Sequence, residues 1–144
     1  MTAFAIDSSC VIAAVCSWHE SHERVFTALN ARIGRGGLVV PSHALLESYA
    51  VLTRLPPPHR LAPADAEAVL RGFLEEATLA ALGASDQWPL LRALSAERIA
   101  GGASYDALIL AIARKAKCRE LWTLNTAHFL RFESDIEIID PAHA

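Results

Sequence analysis

The feature that most constrains this chain is the regular return of short apolar runs that each stop abruptly. Residues 3–6 end at Asp7, Leu38-Val39-Val40 ends at Pro41, residues 78–82 end at Gly83, residues 120–124 end at Asn125, and residues 136–139 supply a fifth run. Runs this short and continuous read as strands buried on both faces. Between them lie helical patterns. Ser8 and Ser9 are positioned to cap a helix after the first run, and Val25, Phe26, Leu29 and Ile33 give residues 19–33 a helical period that ends in Gly34-Arg35-Gly36-Gly37. A helix from Ser42 to Arg54 is followed by Pro56-Pro57-Pro58, which cannot be helical, and by a helix at 64–77 with Pro63 near its start. Ser85 and Asp86 are candidate caps for a helix carrying Trp88, Leu91 and Leu94, which Gly101-Gly102 breaks. Residues 107–113 are all apolar, as a central buried helix requires. Strand and helix in alternation imply an α/β class, a three-layer α/β/α sandwich around a mainly parallel five-stranded sheet. Ligands of such sheets sit beyond the carboxyl ends of the strands, so polar residues just after strands or at helix starts matter most.

Composition narrows the class. A chain of 144 residues, 53% hydrophobic and 20% charged, has the size and apolar content of one globular domain spanning 1–144. Thirteen basic against sixteen acidic side chains give −3, which taken alone argues against a generic basic nucleic-acid binder. Cys10, Cys16 and Cys118 make neither an even set nor a CxxC pair, so a disulfide framework and a thiolate zinc site are not expected and a cytoplasmic setting is. No membrane partner is expected, because no apolar run approaches the roughly eighteen residues of a span, and the first residues lack a signal-peptide pattern.

Four polar residues occupy the favoured places, each with an ordinary alternative. Asp7 follows the first strand, where an N-cap is the alternative. Glu47 lies in mid-helix on the same face as His43 and Arg54, where solvation is the alternative. Asp106 opens the most apolar helix, where compensation of the helix dipole would suffice; yet a charge in such dry surroundings wants a specific partner. Asn125 follows the fourth strand, where a turn role is the alternative.

Together these segments resemble the PIN-domain ribonucleases, in particular the toxins of VapBC toxin-antitoxin modules. The resemblance spans the chain and rests on Phe-Ala-Ile-Asp-Ser-Ser at 4–9, Pro-Ser-His-Ala-Leu-Leu-Glu at 41–47, Ser-Tyr-Asp-Ala-Leu-Ile-Leu-Ala at 104–111 and Leu-Trp-Thr-Leu-Asn-Thr-Ala-His-Phe at 121–129. It implies that Asp7 and Asp106 hold a divalent metal, with Glu47 binding directly or through a water. Asn125 stands where many members carry a fourth acid, and Ser9 matches a small polar position that orients a water or a carboxylate. By resemblance the chain hydrolyses RNA phosphodiesters in a tRNA or rRNA loop, leaving 5′-phosphate and 3′-hydroxyl, and so inhibits translation and growth. A VapB-type antitoxin partner and a homodimer are implied as well. Trp18, Val25 and Leu55 are candidates for either contact, with core packing the alternative.

The chemistry accounts for the residue set. Two carboxylates about 5 Å apart repel by roughly 3 kcal/mol at an effective dielectric near 20, so a cluster of three wants a cation. Oxygen-only ligands favour Mg2+ or Mn2+ over zinc. Arg54, Arg114 and Lys115 are candidate RNA contacts, as are Arg32, Arg35, Arg60, Lys117 and Arg119, although cations at a helix C-terminus also compensate its dipole. His43 and His128 lack zinc spacing. A haloacid-dehalogenase-type phosphatase requires Asp-x-Asp, and position 9 is Ser; a receiver-type switch lacks its acidic pair and lysine. Neither GxxxxGK[ST] nor GxGxxG occurs. The competing reading is a PIN-like module that binds RNA or protein without cutting, which Asn125 favours.

Overall fold

Phe4, Ala5 and Ile6 form β1 (Phe4–Ile6), and all three are fully buried, because side chains of successive residues enter two different cores. Phe4 and Ile6 join one apolar cluster and Ala5 the other. The pattern repeats in β2 (Leu38–Pro41), where Leu38 and Val40 face the first core and Val39 the second, and in β4 (Glu120–Trp122), where Trp122 and Leu121 divide in the same way. The computed structural model describes residues 2–143. With β3 (Thr78–Ala80) and β5 (Glu137–Ile139), these strands make one five-stranded sheet in the order β3-β2-β1-β4-β5, and every pairing is parallel.

Helices cover both faces. The first core is closed by Val11 of α1 (Ser8–Val15), Val25 and Leu29 of α2 (His22–Ile33), Leu52 of α3 (Ser42–Arg54) and Leu70 of α4 (Pro63–Phe73). The second is closed by Ile109, Leu110 and Ala113 of α6 (Ala103–Lys115) and Phe129 of α7 (Thr126–Leu130). Each fully buried large side chain contributes roughly 1.5–3 kcal/mol relative to exposure. The expected three-layer α/β/α sandwich is therefore the observed one. After β3 the chain crosses β1 to build β4 and β5, so the winding reverses beside β1, and the crevice of such folds opens there.

Several local expectations need correction. Asp7 itself caps α1, accepting from the Cys10 amide at 3.2 Å, so Ser8 and Ser9 are free for other contacts. α2 begins at His22 rather than at 19, because residues 16–21 form turns in which the Ser21 amide donates to His19 Nδ1 at 3.0 Å. α4 stops at Phe73, since Leu74 to Ala77 turn toward β3. Asp86 does not cap α5 (Gln87–Ala96); its carboxylate takes the Gly83 amide at 2.7 Å and Lys115 Nζ at 2.5 Å. α6 is buried on one side only, with Ala107, Leu108 and Ala111 half-buried. Of the three candidate contact residues, Val25 and Leu55 follow the core reading, Val25 fully buried and Leu55 packed against the first core, whereas Trp18 departs from it, exposed and stacked on His59 with ring centroids 4.2 Å apart.

One turn needs its glycine. Gly37 has φ +86°, and a Cβ there would lie 2.6 Å from the Thr2 carbonyl oxygen. Only Gly lets the chain enter β2 this close to β1.

Candidate active site

Asp7 sits where β1 ends, its amide donating to the Trp122 carbonyl of β4 at 3.2 Å. The carboxylate is 6% exposed and fully engaged. Oδ1 accepts from Ser9 Oγ at 2.6 Å and from the Cys10 amide, and Oδ2 accepts from Thr123 Oγ1 at 2.6 Å. Both hydroxyls are themselves fixed, because Ser9 Oγ accepts the Leu124 amide at 2.9 Å and Thr123 Oγ1 accepts the Asn125 amide at 2.9 Å. A hydroxyl has one proton to donate, and here each is directed at Asp7, an arrangement suited to a carboxylate, which only accepts. Burial nonetheless pushes the Asp7 pKa upward, the hydrogen bonds oppose this in part, and the Glu47 charge adds to the rise. An anion wired for its charged form, yet penalised for carrying it, is one that a bound cation would stabilise.

Asp7, Glu47, Asp106 and Asn125 line one cleft of about 720 Å³, together with Ser8, Ser9, Arg54, His19, His128, Asp140 and His143. The structure thus brings together the four residues expected at the site. Glu47, on the exposed face of α3, accepts a short hydrogen bond from Ser8 Oγ. Asp106 pairs with Arg131, whose Nη2 donates to Oδ2 at 2.7 Å. With Glu47 and Asp106 turned to these partners, no three His, Cys, Asp or Glu side chains converge on one point among the described residues. The oxygen donors fit a hard divalent ion in type, and the penalised Asp7 charge fits its need; the two outer acids must turn inward to complete a ligand set.

Of the expected RNA contacts, Arg54 lines the cleft. Arg114 and Lys115 do not, because α6 carries them away: nine residues of helix separate Lys115 from Asp106, about 13 Å along the axis, and Lys115 is spent on Asp86. Four contributors were not anticipated. Ser8 and Thr123 hold the acids, Arg131 neutralises Asp106, and Asp140 borders the cleft just beyond β5, accepting from the Ala142 amide at 2.9 Å and pairing with His143 at 2.8 Å. Asp140 obeys the same strand-end rule that singles out Asp7. The cysteines play no part: burial raises all three thiols, Cys118 to about 11.

A sheet with its switch point beside β1 and acids at the adjoining strand and helix ends describes a known class. The PIN domain family model matches residues 4–133. Ribonuclease VapC40 of Mycobacterium tuberculosis is 38% identical over 136 residues, covering 92% of this chain and 97% of the relative. Ribonuclease VapC27 of the same species is 36% identical over 105 residues, covering 73% of this chain and 72% of the relative. Among solved structures, DNA-bound VapBC from Salmonella typhimurium superposes with a TM-score of 0.70 at 20% identity, covering 98% of this chain and 99% of the other. The M. tuberculosis toxin VapC20, described as cleaving the sarcin-ricin loop, superposes at 0.66 with 14% identity, covering 94% and 99%. The chain belongs to the PIN domain family, among its VapC-type members.

Proposed function

We propose that the protein is a divalent-metal-dependent endoribonuclease that acts as the toxin of a toxin-antitoxin pair. The observation that carries this reading is the gathering of Asp7, Glu47, Asp106 and Asn125 in one cleft at the switch point, in a chain 38% identical to a ribonuclease over nearly its whole length. Asp7, Asp106 and Glu47 would hold Mg2+ or Mn2+, Glu47 directly or through a water, with Asn125 as a neutral fourth ligand. The ion would acidify a water and neutralise charge on the phosphate undergoing attack.

The chain's own residues do the rest. Ser9, Thr123 and the Cys10 amide hold Asp7 in one orientation, so little reorganisation is needed when substrate arrives. Ser8 holds Glu47 at the rim, and Arg54 stands in the cleft to take a backbone phosphate. Water adds to phosphorus, the bond to the 3′ oxygen breaks, and that oxygen leaves with a proton, giving 3′-hydroxyl and 5′-phosphate ends. A tRNA or rRNA loop is the expected substrate, since unpaired loops can be splayed out and reached by a protein cleft. The setting is the cytoplasm, consistent with free buried thiols.

A VapB-type antitoxin is the expected protein partner, supported by structural neighbours that are VapBC and FitAB complexes. A homodimer is also proposed. Its support is a set of exposed large apolar side chains: α5 buries none of its residues, Trp88 is 80% exposed, and Leu91 of α5, Leu46 of α3 and Leu79 of β3 are exposed as well. Trp88→Glu should shift the mass in light scattering from dimer toward monomer.

Incubating structured RNAs with the protein and Mn2+ or Mg2+ tests the activity. Cleavage should need the metal and fall at least a hundredfold in Asp7→Asn and in Asp106→Asn. Cleavage that survives both changes contradicts the site, and tight RNA or partner binding without cleavage of any RNA favours the non-cutting module. Growth arrest on expression, relieved by the adjacent small gene product, tests the toxin role.

A further inference from the structure

Asp106 is the acid that already carries a positive partner. Arg131 follows α7, the short helix that starts just after Asn125 and is anchored by buried Phe129, so Arg131 and Asn125 stand at the two ends of one small element. Its guanidinium reaches 25 residues back in sequence to Asp106 Oδ2 at 2.7 Å and lies over the Phe132 ring, 5.0 Å from the centroid. Both partners face solvent in part, Arg131 at 45% and Asp106 at 26%. An ion pair this exposed is weak and exchangeable.

We propose that Arg131 is a built-in counter-ion of the metal site, one that holds Asp106 until a divalent ion takes its place and then turns to an RNA phosphate. The inference rests on the metal-dependent reading above. Three observations carry it. Asp106 Oδ2 is now committed to Arg131 at 2.7 Å, so an ion drawn to the same carboxylate meets a full positive charge already beside it. Glu47 has a neutral partner in Ser8 and Asp7 has only hydrogen-bond donors, so Asp106 is the acid at which an ion competes with a positive charge already in place. The displaced group is a guanidinium over the Phe132 ring and next to Asp106, a cleft residue, and its planar fork suits phosphate as well as carboxylate. Metal binding and RNA binding are thereby coupled: the ion frees the arginine, and the phosphate keeps it from returning.

Occupancy of the pair lowers the fraction of protein competent to bind the ion and so weakens the apparent affinity. Titration calorimetry with Mn2+ alone, without RNA, reads this directly. Arg131→Ala and Arg131→Gln should each tighten Mn2+ binding by about threefold to tenfold, while Arg131→Lys, which keeps the charge, stays near wild type. Arg71→Ala, which removes a cation paired with Glu67 on α4, should change nothing. With Mn2+ present, both neutral Arg131 variants should bind RNA more weakly than wild type. Unchanged or weaker Mn2+ binding in Arg131→Ala and Arg131→Gln, with binding still abolished by Asp106→Asn, overturns the counter-ion role and leaves the metal site standing. A wild-type protein that binds no Mn2+ at all overturns both. The Gln variant guards against misfolding of the Ala variant, since it keeps a long polar side chain at this half-exposed position.

Discussion

Thr123 shows how much of the site depends on one uncharged side chain. It is fully buried, donates to Asp7 and accepts from Asn125, so one hydroxyl ties the first acid to the fourth position. Thr123→Val keeps the shape and removes both bonds. It should lower unfolding free energy in urea by about 1–3 kcal/mol, because a buried carboxylate oxygen and an amide lose their partner, and should reduce metal-dependent cleavage. For Asp7 the direction of the pH effect follows from its raised pKa. Below the ordinary aspartate value of 3.8, folded and unfolded chains both hold the proton; above it the folded chain keeps the proton longer, and as pH rises through the folded value the buried charge weakens the fold. Without divalent ion, the melting temperature of wild type relative to Asp7→Asn should therefore fall by a few degrees between pH 4 and pH 7, whatever constant offset the amide's poorer hydrogen bonding adds. A constant gap would show that charge is not the cause. Thr123 was not legible as functional, because in sequence it is one more β-branched residue in a strand-like run; its role exists only because β4 lies beside β1, 116 residues away in the chain.

At the scale of elements, the five strands were legible and several boundaries were not. Asp7 follows β1 directly as expected, whereas β3 stops at Ala80 rather than Leu82 and β4 at Trp122 rather than Leu124, so Asn125 comes after Thr123 and Leu124 rather than directly after the strand. The two edge strands β3 and β5 are partly exposed, unlike β1 and β2, because each has a neighbour on one side only. The start of α2 was not legible, because the turns before it are closed by a His19 side chain rather than by a proline or glycine. The exposed face of α5 was hidden for a related reason: an apolar period says that a face exists and not whether this chain covers it. Two glycines separate conformational need from crowding. Gly101, at φ +62°, has open space around its missing Cβ, whereas Gly37 combines φ +86° with the 2.6 Å approach of the Thr2 carbonyl. Gly101→Ala should destabilise by about 1 kcal/mol. Gly37→Ala should exceed that by at least another 1 kcal/mol, since β2 must move away from β1. Chemical denaturation of the two variants side by side gives the comparison.

For the whole molecule, the net charge of −3 gave no guide to function, because its components serve separate tasks. Arg32 bonds Glu120 and lies over Phe4, Arg71 pairs with Glu67 and Lys115 with Asp86, so these cations support the fold. Arg54, Asp7, Glu47, Asp106 and Asp140 line the cleft, and Arg131 pairs with Asp106. That division is invisible in a sum and follows only from the parallel winding, which carries chain segments from 7 to 140 to one edge of the sheet. On the function proposed above, this edge holds a divalent ion. Anomalous diffraction from crystals of the protein grown with Mn2+ measures it directly. We expect a peak in the cleft about 2.0–2.3 Å from oxygens of Asp7 and Asp106, with the Arg131 guanidinium no longer on Asp106. A cleft without a peak at saturating Mn2+, with Asp106 still bound to Arg131, would contradict the account.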